Sequence, residues 1–169
     1  PASFYQAEAL NERVLELDPA FAPAWTQRAL IFYTGAAYQA WDSYEVTPRI
    51  RDAAHQAIRL DPDSAAARQI LVYVAIDFDY DYAQAERELL AAYQLQAENI
   101  EVLRAAAEYH YRRGELEKTV QFLERAHALD PLGRQRLFAA AAYFYSGQQD
   151  AGLKLFRERV EGRPGSAYV

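Results

Sequence analysis

The chain has no cysteine. This excludes a disulfide framework, a thiolate metal site and a cysteine nucleophile; it suits a cytoplasmic protein, and the bacterial periplasm is compatible on the same ground. Basic residues are also in deficit, with 18 Lys and Arg against 24 Asp and Glu, a net charge of -6 and a pI near 5.1. Binding to a phosphate backbone relies on clustered Lys and Arg, so nucleic acid is not an expected partner. The longest apolar runs, Ile70 to Ile76 and Leu137 to Tyr145, fall far short of the roughly 20 residues that span a bilayer, and no membrane insertion is expected. No signal peptide is visible in these residues, and a chain that begins at Pro1 is expected to be part of a longer protein, so this says nothing about targeting. Nucleophile elbow, P-loop and dinucleotide fingerprint are all missing, and serine is scarce, so no enzymatic activity is expected. The three histidines, His55, His110 and His127, have no second ligand at a recognisable metal spacing; neither a metal nor a cofactor is expected.

What the chain does have is helical period. Its 51% hydrophobic content allows a substantial core. In the stretch Asn99 to Pro131, Asn99 suits an N-cap, and Leu103, Ala106, Ala107 and His110 recur at helical spacing. Gly114 stops this helix. A second period of Leu116, Val120, Leu123, Ala126 and Leu129 closes at Asp130-Pro131, because the proline ring cannot continue a helix. Two amphipathic helices joined by a glycine turn result.

This unit resembles the tetratricopeptide repeat, a helix pair of about 34 residues with the pattern W-x2-L-G-x2-Y, then A-x3-F, then P. Leu103, Ala106, Ala107 and His110 fill the first motif by size class, and Thr119, Leu123 and Pro131 fill the remainder. The unit recurs. Residues Ser3 to Leu17, ending in Leu17-Asp18-Pro19, match a second helix without its first, and Trp25, Ala29 and Phe32 open the next unit. Closing signals at 19, 62, 97, 131 and 164 are 43, 35, 34 and 33 residues apart. The first interval therefore holds an insertion, placed at Gly35 to Val46, with Thr47-Pro48 expected as the N-cap and first position of a helix running to about Leu60. The domain reading is a single array over 1–169, with a half repeat at 3–19 and repeats at about 20–62, 63–97, 98–131 and 132–164.

The resemblance implies an all-α, right-handed superhelical solenoid of antiparallel helix pairs, about nine helices in this chain, whose concave face holds a protein or peptide partner. A protein-interaction scaffold is thus the first functional expectation. The insertion and the Asp-Phe-Asp-Tyr-Asp-Tyr turn are similar to repeat arrays attached to bacterial signalling proteins, which gives the alternative: a regulatory or sensor domain of a winged-helix regulator or nucleotide cyclase.

Such arrays bind along one stripe of their first helices. Aligned to the pattern, the stripes are Pro23, Thr26, Leu30, Tyr33; Ala66, Gln69, Tyr73, Ile76; Glu101, Arg104, Glu108, Tyr111; and Gln135, Phe138, Ala142, Tyr145. Each holds a tyrosine, a residue that offers contact area together with one hydroxyl. The candidate peptide-binding residues are therefore Tyr33, Gln69, Tyr73, Arg104, Glu108, Tyr111 and Tyr145, with packing between helices as the competing explanation of the rings. Only Arg104 suits a clamp for an acidic tail.

Two further expectations concern the acidic turn and the ends. Asp77, Asp79, Asp81 and Glu88 have calcium-loop spacing, but Tyr82 stands where the loop needs glycine; Asp81 is instead expected to cap a helix, with Phe78, Tyr80 and Tyr82 partly packed. At the ends, Leu10, Val14 and Leu17, and Leu153, Phe156 and Val160, are expected to leave apolar surface for self-association, since arrays of this kind need polar capping units.

Overall fold

The computed structural model describes residues 2–130, 143–144 and 147–162, and the chain divides into two compact units, Pro1–Ala97 and Glu98–Val169. The first unit comprises α1 (Ala2–Leu17), α2 (Ala22–Ala37), α3 (Ser43–Leu60), α4 (Ala65–Asp77) and α5 (Tyr82–Gln96). The second contains α6 (Ile100–Arg112), α7 (Leu116–Leu129) and α8 (Gln149–Gly162). There is no strand among the described residues. Neighbours in sequence pair in space: α2 with α3, α4 with α5 and α6 with α7 form the hairpins, while α1 packs on α2 and α3 on α4.

Side-chain caps set the starts of α3, α4, α5 and α6. Ser64 Oγ accepts from the Ala67 amide, and the Asn99 side chain accepts from the Glu101 amide at 2.8 Å, each satisfying a first-turn donor that has no partner within the helix. Gly114, at φ +74°, takes the left-handed conformation that turns α6 into α7.

One boundary differs from the sequence expectation. The N-cap of α3 is Asp42, not Thr47: its carboxylate accepts from the amides of Tyr44 at 2.9 Å and Glu45 at 3.1 Å. Pro48 lies inside the helix, and Thr47 turns its hydroxyl back to the Ser43 carbonyl. The reason is the apolar stripe. Val46, Ile50, Ala53, Ala54 and Ala57 are all buried on one face, so the amphipathic period begins before the proline. The insertion is absorbed largely as helix. α2 has 16 residues against 13 in α4, and α3 has 18 against 15 in α5.

The core of the first unit is built from Ala29, Phe32, Ile50, Ala54, Ile70 and Val74, with Trp25, Tyr33, Trp41 and Phe78 packed around it. In the second unit Ala107, Val120 and Leu123 form the centre, flanked by Phe122 and Tyr143. Leu103, Ala107, Leu123 and Ala126 are fully buried, as the repeat pattern requires. His110 is the exception, being half-buried. Its ring stacks on Phe122 at 5.3 Å while Nδ1 reaches Glu115 at 2.9 Å, because it ends α6 where a carboxylate is within reach. Leu10, Val14 and Leu17 form an exposed face on α1, and Leu153 is exposed on α8; the Phe156 and Val160 side chains lie outside the described residues.

Candidate functional site

In the first unit the aligned stripes meet. Tyr33 from α2 and Tyr73 from α4 stack with ring centroids 5.5 Å apart and planes 26° from parallel. The Tyr33 hydroxyl donates to Asp77 Oδ2 at 2.6 Å, and buried Gln69 donates from Nε2 to the Tyr73 hydroxyl at 3.0 Å. Phe78 meets the edge of Tyr33 at 5.8 Å. Both rings are half-buried, so each has one side against protein and part of its surface in water. Their orientation is fixed from both ends, by ring contact and by hydroxyl partner.

The second unit carries its stripe on α6. Arg104 lies 3.6 Å from Glu101, Glu108 accepts from Arg112 at 2.7 Å, and Tyr111 is half-buried beside them. Arg113 in turn pairs with Glu115 at 2.8 Å. Arg104, the one residue suited to clamp an acidic tail, and its neighbours Arg112 and Arg113 are thus each matched by a carboxylate of this chain. Tyr145, with Gln135, Phe138 and Ala142 of the last stripe, lies outside the described residues.

Electrostatics in this unit centre on Glu115, which accepts from Lys118, Arg113 and His110 and is held at about 2, far below an ordinary carboxylate. Burial lowers the His110 pKa, against the opposing pull of Glu115. Burial, then a hydrogen bond to Glu124, pushes Tyr143 up to about 12.

The acidic turn does not gather around a point. Asp77 accepts from Tyr33, Asp79 pairs with Arg51 of α3, and Asp81 caps α5 by accepting from the Gln84 amide at 2.9 Å. Among the described residues no group of three or more His, Asp or Glu is placed to hold a metal ion. Phe78 and Tyr82 are half-buried as expected from the sequence, but Tyr80 is 74% exposed. The reason is backbone: Tyr80 has φ +55°, which throws its side chain outward at the tip of the turn.

Beside that turn the structure shows a feature the sequence reading missed. An open cleft of about 570 Å³ is lined by Tyr44, Pro48 and Arg51 of α3 and by Asp77, Phe78 and Tyr80 of the turn after α4, among others. The two segments are separated by some thirty residues in sequence, and no period or motif links them. The one local hint was an aromatic residue, Tyr80, at a position where the turns before α7 and α8 place Gly114 and Gly147.

Comparison with solved structures gives the fold. A thermophilic TPR protein of Thermus thermophilus superposes with a TM-score of 0.79 at 19% identity, over 96% of this chain and 84% of its own. The fold is that of a tetratricopeptide-repeat array. YrrB, a TPR protein with an unusual peptide-binding site, matches at a TM-score of 0.58 and 17% identity, over 98% of this chain and 80% of its own. Human IFIT1, in a dimer with m7Gppp-AAAA, matches at 0.78 and 21% identity; the match covers 97% of this chain but only 40% of that one. No family model matches the sequence, and no curated protein is similar to it. Among the described residues no helix is long and apolar enough to cross a membrane.

Proposed function

We propose that this repeat array is a scaffold for protein–protein interaction, holding a peptide of its partner along the tyrosine-bearing stripe of its first helices, the face that the repeat fold makes concave. The observation that carries this is the Tyr33–Tyr73 stack with its Asp77 and Gln69 hydroxyl partners. Rings fixed before a ligand arrives lose little freedom on binding, and half-exposed tyrosines supply the contact area that interface anchors need. Tyr33 and Tyr73 form this surface in the first unit, with buried Gln69 supporting it through the Tyr73 hydroxyl, and Arg104, Glu108 and Tyr111 form it in the second; Tyr145 joins them by sequence alignment alone.

YrrB supports a peptide as the ligand class within this fold. The oligonucleotide held by IFIT1 is a poorer guide for a chain of net charge -6. The reading assigns the chain no chemistry of its own and suits a cytoplasmic location. The apolar face of α1, where Leu10 is 71% and Leu17 75% exposed, adds self-association at high concentration.

The test is a displayed library of random peptides selected on the wild-type protein. The Tyr73→Ala/Tyr111→Ala variant should bind the selected peptides more weakly by roughly 2 to 4 kcal/mol, the scale of interface hot spots, with helicity intact and only the small fall in melting temperature that loss of the Tyr33–Tyr73 stack entails. A folded double variant with wild-type affinity would sink the stripe. A variant that melts far earlier would show that the rings serve packing instead.

A further inference from the structure

The cleft between the start of α3 and the turn after α4 adjoins the stripe through Asp77 and Phe78, the neighbours of Tyr33, and its composition is specific. Aromatic and proline surface forms much of its wall, from Tyr44, Pro48, Phe78 and Tyr80, and Tyr44 is 89% exposed at its rim. Large apolar groups at the mouth of a cavity, covered by nothing in the described chain, mark a surface that meets something else.

Tyr80 gives the second indication. Four turns among the described residues hold a left-handed residue: Gln39 before α3, Tyr80 before α5, Gly114 before α7 and Gly147 before α8. Two of the four use glycine, which adopts this conformation freely, with φ +74° and +83°. Of the other two, Tyr80 carries the bulkier side chain, an aromatic ring at φ +55°, a conformation that disfavours bulky side chains. Its ring is not retained for the core, because it points into solvent beside the cleft.

Charge selects the occupant. The lining has two carboxylates, Asp77, which accepts from Tyr33, and Asp79, which is paired with the one cation, Arg51, so it keeps a surplus of one negative charge. Asp42 and Glu45 add negative charge at the same end of α3. An anion would meet a surplus of carboxylates, whereas a cation meets both carboxylates and aromatic faces. Of the two basic side chains, arginine fits better: its planar guanidinium stacks on rings and forks onto carboxylate oxygens, and an ammonium does neither as well.

We propose that this cleft binds an arginine side chain presented by an extended segment of a partner protein, as a second recognition point that shares Asp77 with the stripe but needs none of the stripe residues of the other unit. Tyr44 and Tyr80 flank the guanidinium, Phe78 and Pro48 contact the aliphatic stem, and Asp77 and Asp79 face the charge.

The experiment titrates the 15N-labelled protein with the blocked peptide Ala-Pro-Arg-Pro-Ala and with its citrulline counterpart, which keeps the shape and removes the charge. The arginine peptide should shift amides within 43–51 and 77–81 saturably, and citrulline should weaken binding by about tenfold or more. Tyr80→Gly should hold or raise the melting temperature by relieving the turn, yet weaken the arginine peptide by about fivefold or more, and Tyr44→Ala should weaken it likewise. Tyr111→Ala, in the other unit, probes the stripe and should leave this affinity unchanged. The proposal is overturned if the arginine peptide moves none of these amides, if citrulline binds equally well, if Tyr80→Gly and Tyr44→Ala both bind like wild type, or if Tyr111→Ala abolishes binding.

Discussion

The indole of Trp41 occupies the space in which residue 35 would carry a side chain: a Cβ built on Gly35 would lie 2.1 Å from the Trp41 ring. The ring also meets Phe32, Phe4 and Tyr5 at centroid distances of 5.6, 6.0 and 5.3 Å, so it has little freedom to withdraw. In an ordinary helix Gly→Ala stabilises by up to about 1 kcal/mol. Here the sign should reverse. Gly35→Ala is expected to cost about 1 to 3 kcal/mol, the range for overpacking, as measured by urea unfolding. A stabilised variant would show that Trp41 does not rest on α2.

Tyr33→Phe removes only the hydroxyl that reaches Asp77 and keeps the stack on Tyr73. The bond joins α2 to the end of α4 and is only partly buried, so its loss should cost about 1 kcal/mol, with helicity unchanged. Tyr33→Ala loses the stack as well and should cost visibly more. Equal losses in the two variants would mean that the ring contributes nothing.

Acid should weaken the second unit in two steps. The His110 pKa is depressed below its ordinary 6.5 by burial, so below that value the unfolded chain takes up a proton more readily than the folded one, and stability falls as pH drops through this range. Glu115, held at about 2 against 4.5 by Lys118, Arg113 and His110, contributes stability that is complete above 4.5 and is lost as pH falls from there towards 2. Urea unfolding between pH 8 and pH 3 should show both declines. His110→Gln should flatten the upper one and Glu115→Gln the lower; an upper decline retained in His110→Gln would assign it to another group.

Leu123→Ala empties a fully buried position in the second core and should cost about 2 to 5 kcal/mol. Leu10→Ala, on the exposed face of α1, should change stability by less than about 0.5 kcal/mol. Its effect should be on association instead. Sedimentation at high concentration is expected to show reversible oligomers for wild type and fewer for Leu10→Lys/Leu17→Lys, and a strictly monomeric wild type would count against the apolar face as a contact.

Helix pairing was legible because it rests on local signals. Asn99 caps α6, Gly114 ends its turn, and Leu103, Ala107, Leu123 and Ala126 recur at the packing period, so size class alone located the second core. The start of α3 was misplaced because Thr47-Pro48 is a strong local cue, whereas the stripe of Val46, Ile50, Ala53 and Ala57 that overrides it is spread over three turns. The Tyr33 and Tyr73 stripes were found by aligning equivalent positions, and the structure brings those two rings into contact. The Asp77 partner of Tyr33 has no such signature; it is 44 residues away and sits within an acidic run. The seat of Trp41 on Gly35 and the approach of Tyr44 to the turn at Tyr80 are tertiary facts, set by how α3 lies against its neighbours.

The added length of the first full hairpin has a consequence beyond packing. α2 and α3 each exceed their counterparts α4 and α5 by three residues, about 4.5 Å of helix. Like a staircase with one tall riser, the array gains a ledge where unequal repeats adjoin, and the first turns of α3 overlook the next hairpin's bend. Repeats of one length would meet flush there. Insertion length is thus a variable that evolution can adjust to create or erase a recognition surface while every residue at the packing positions stays the same.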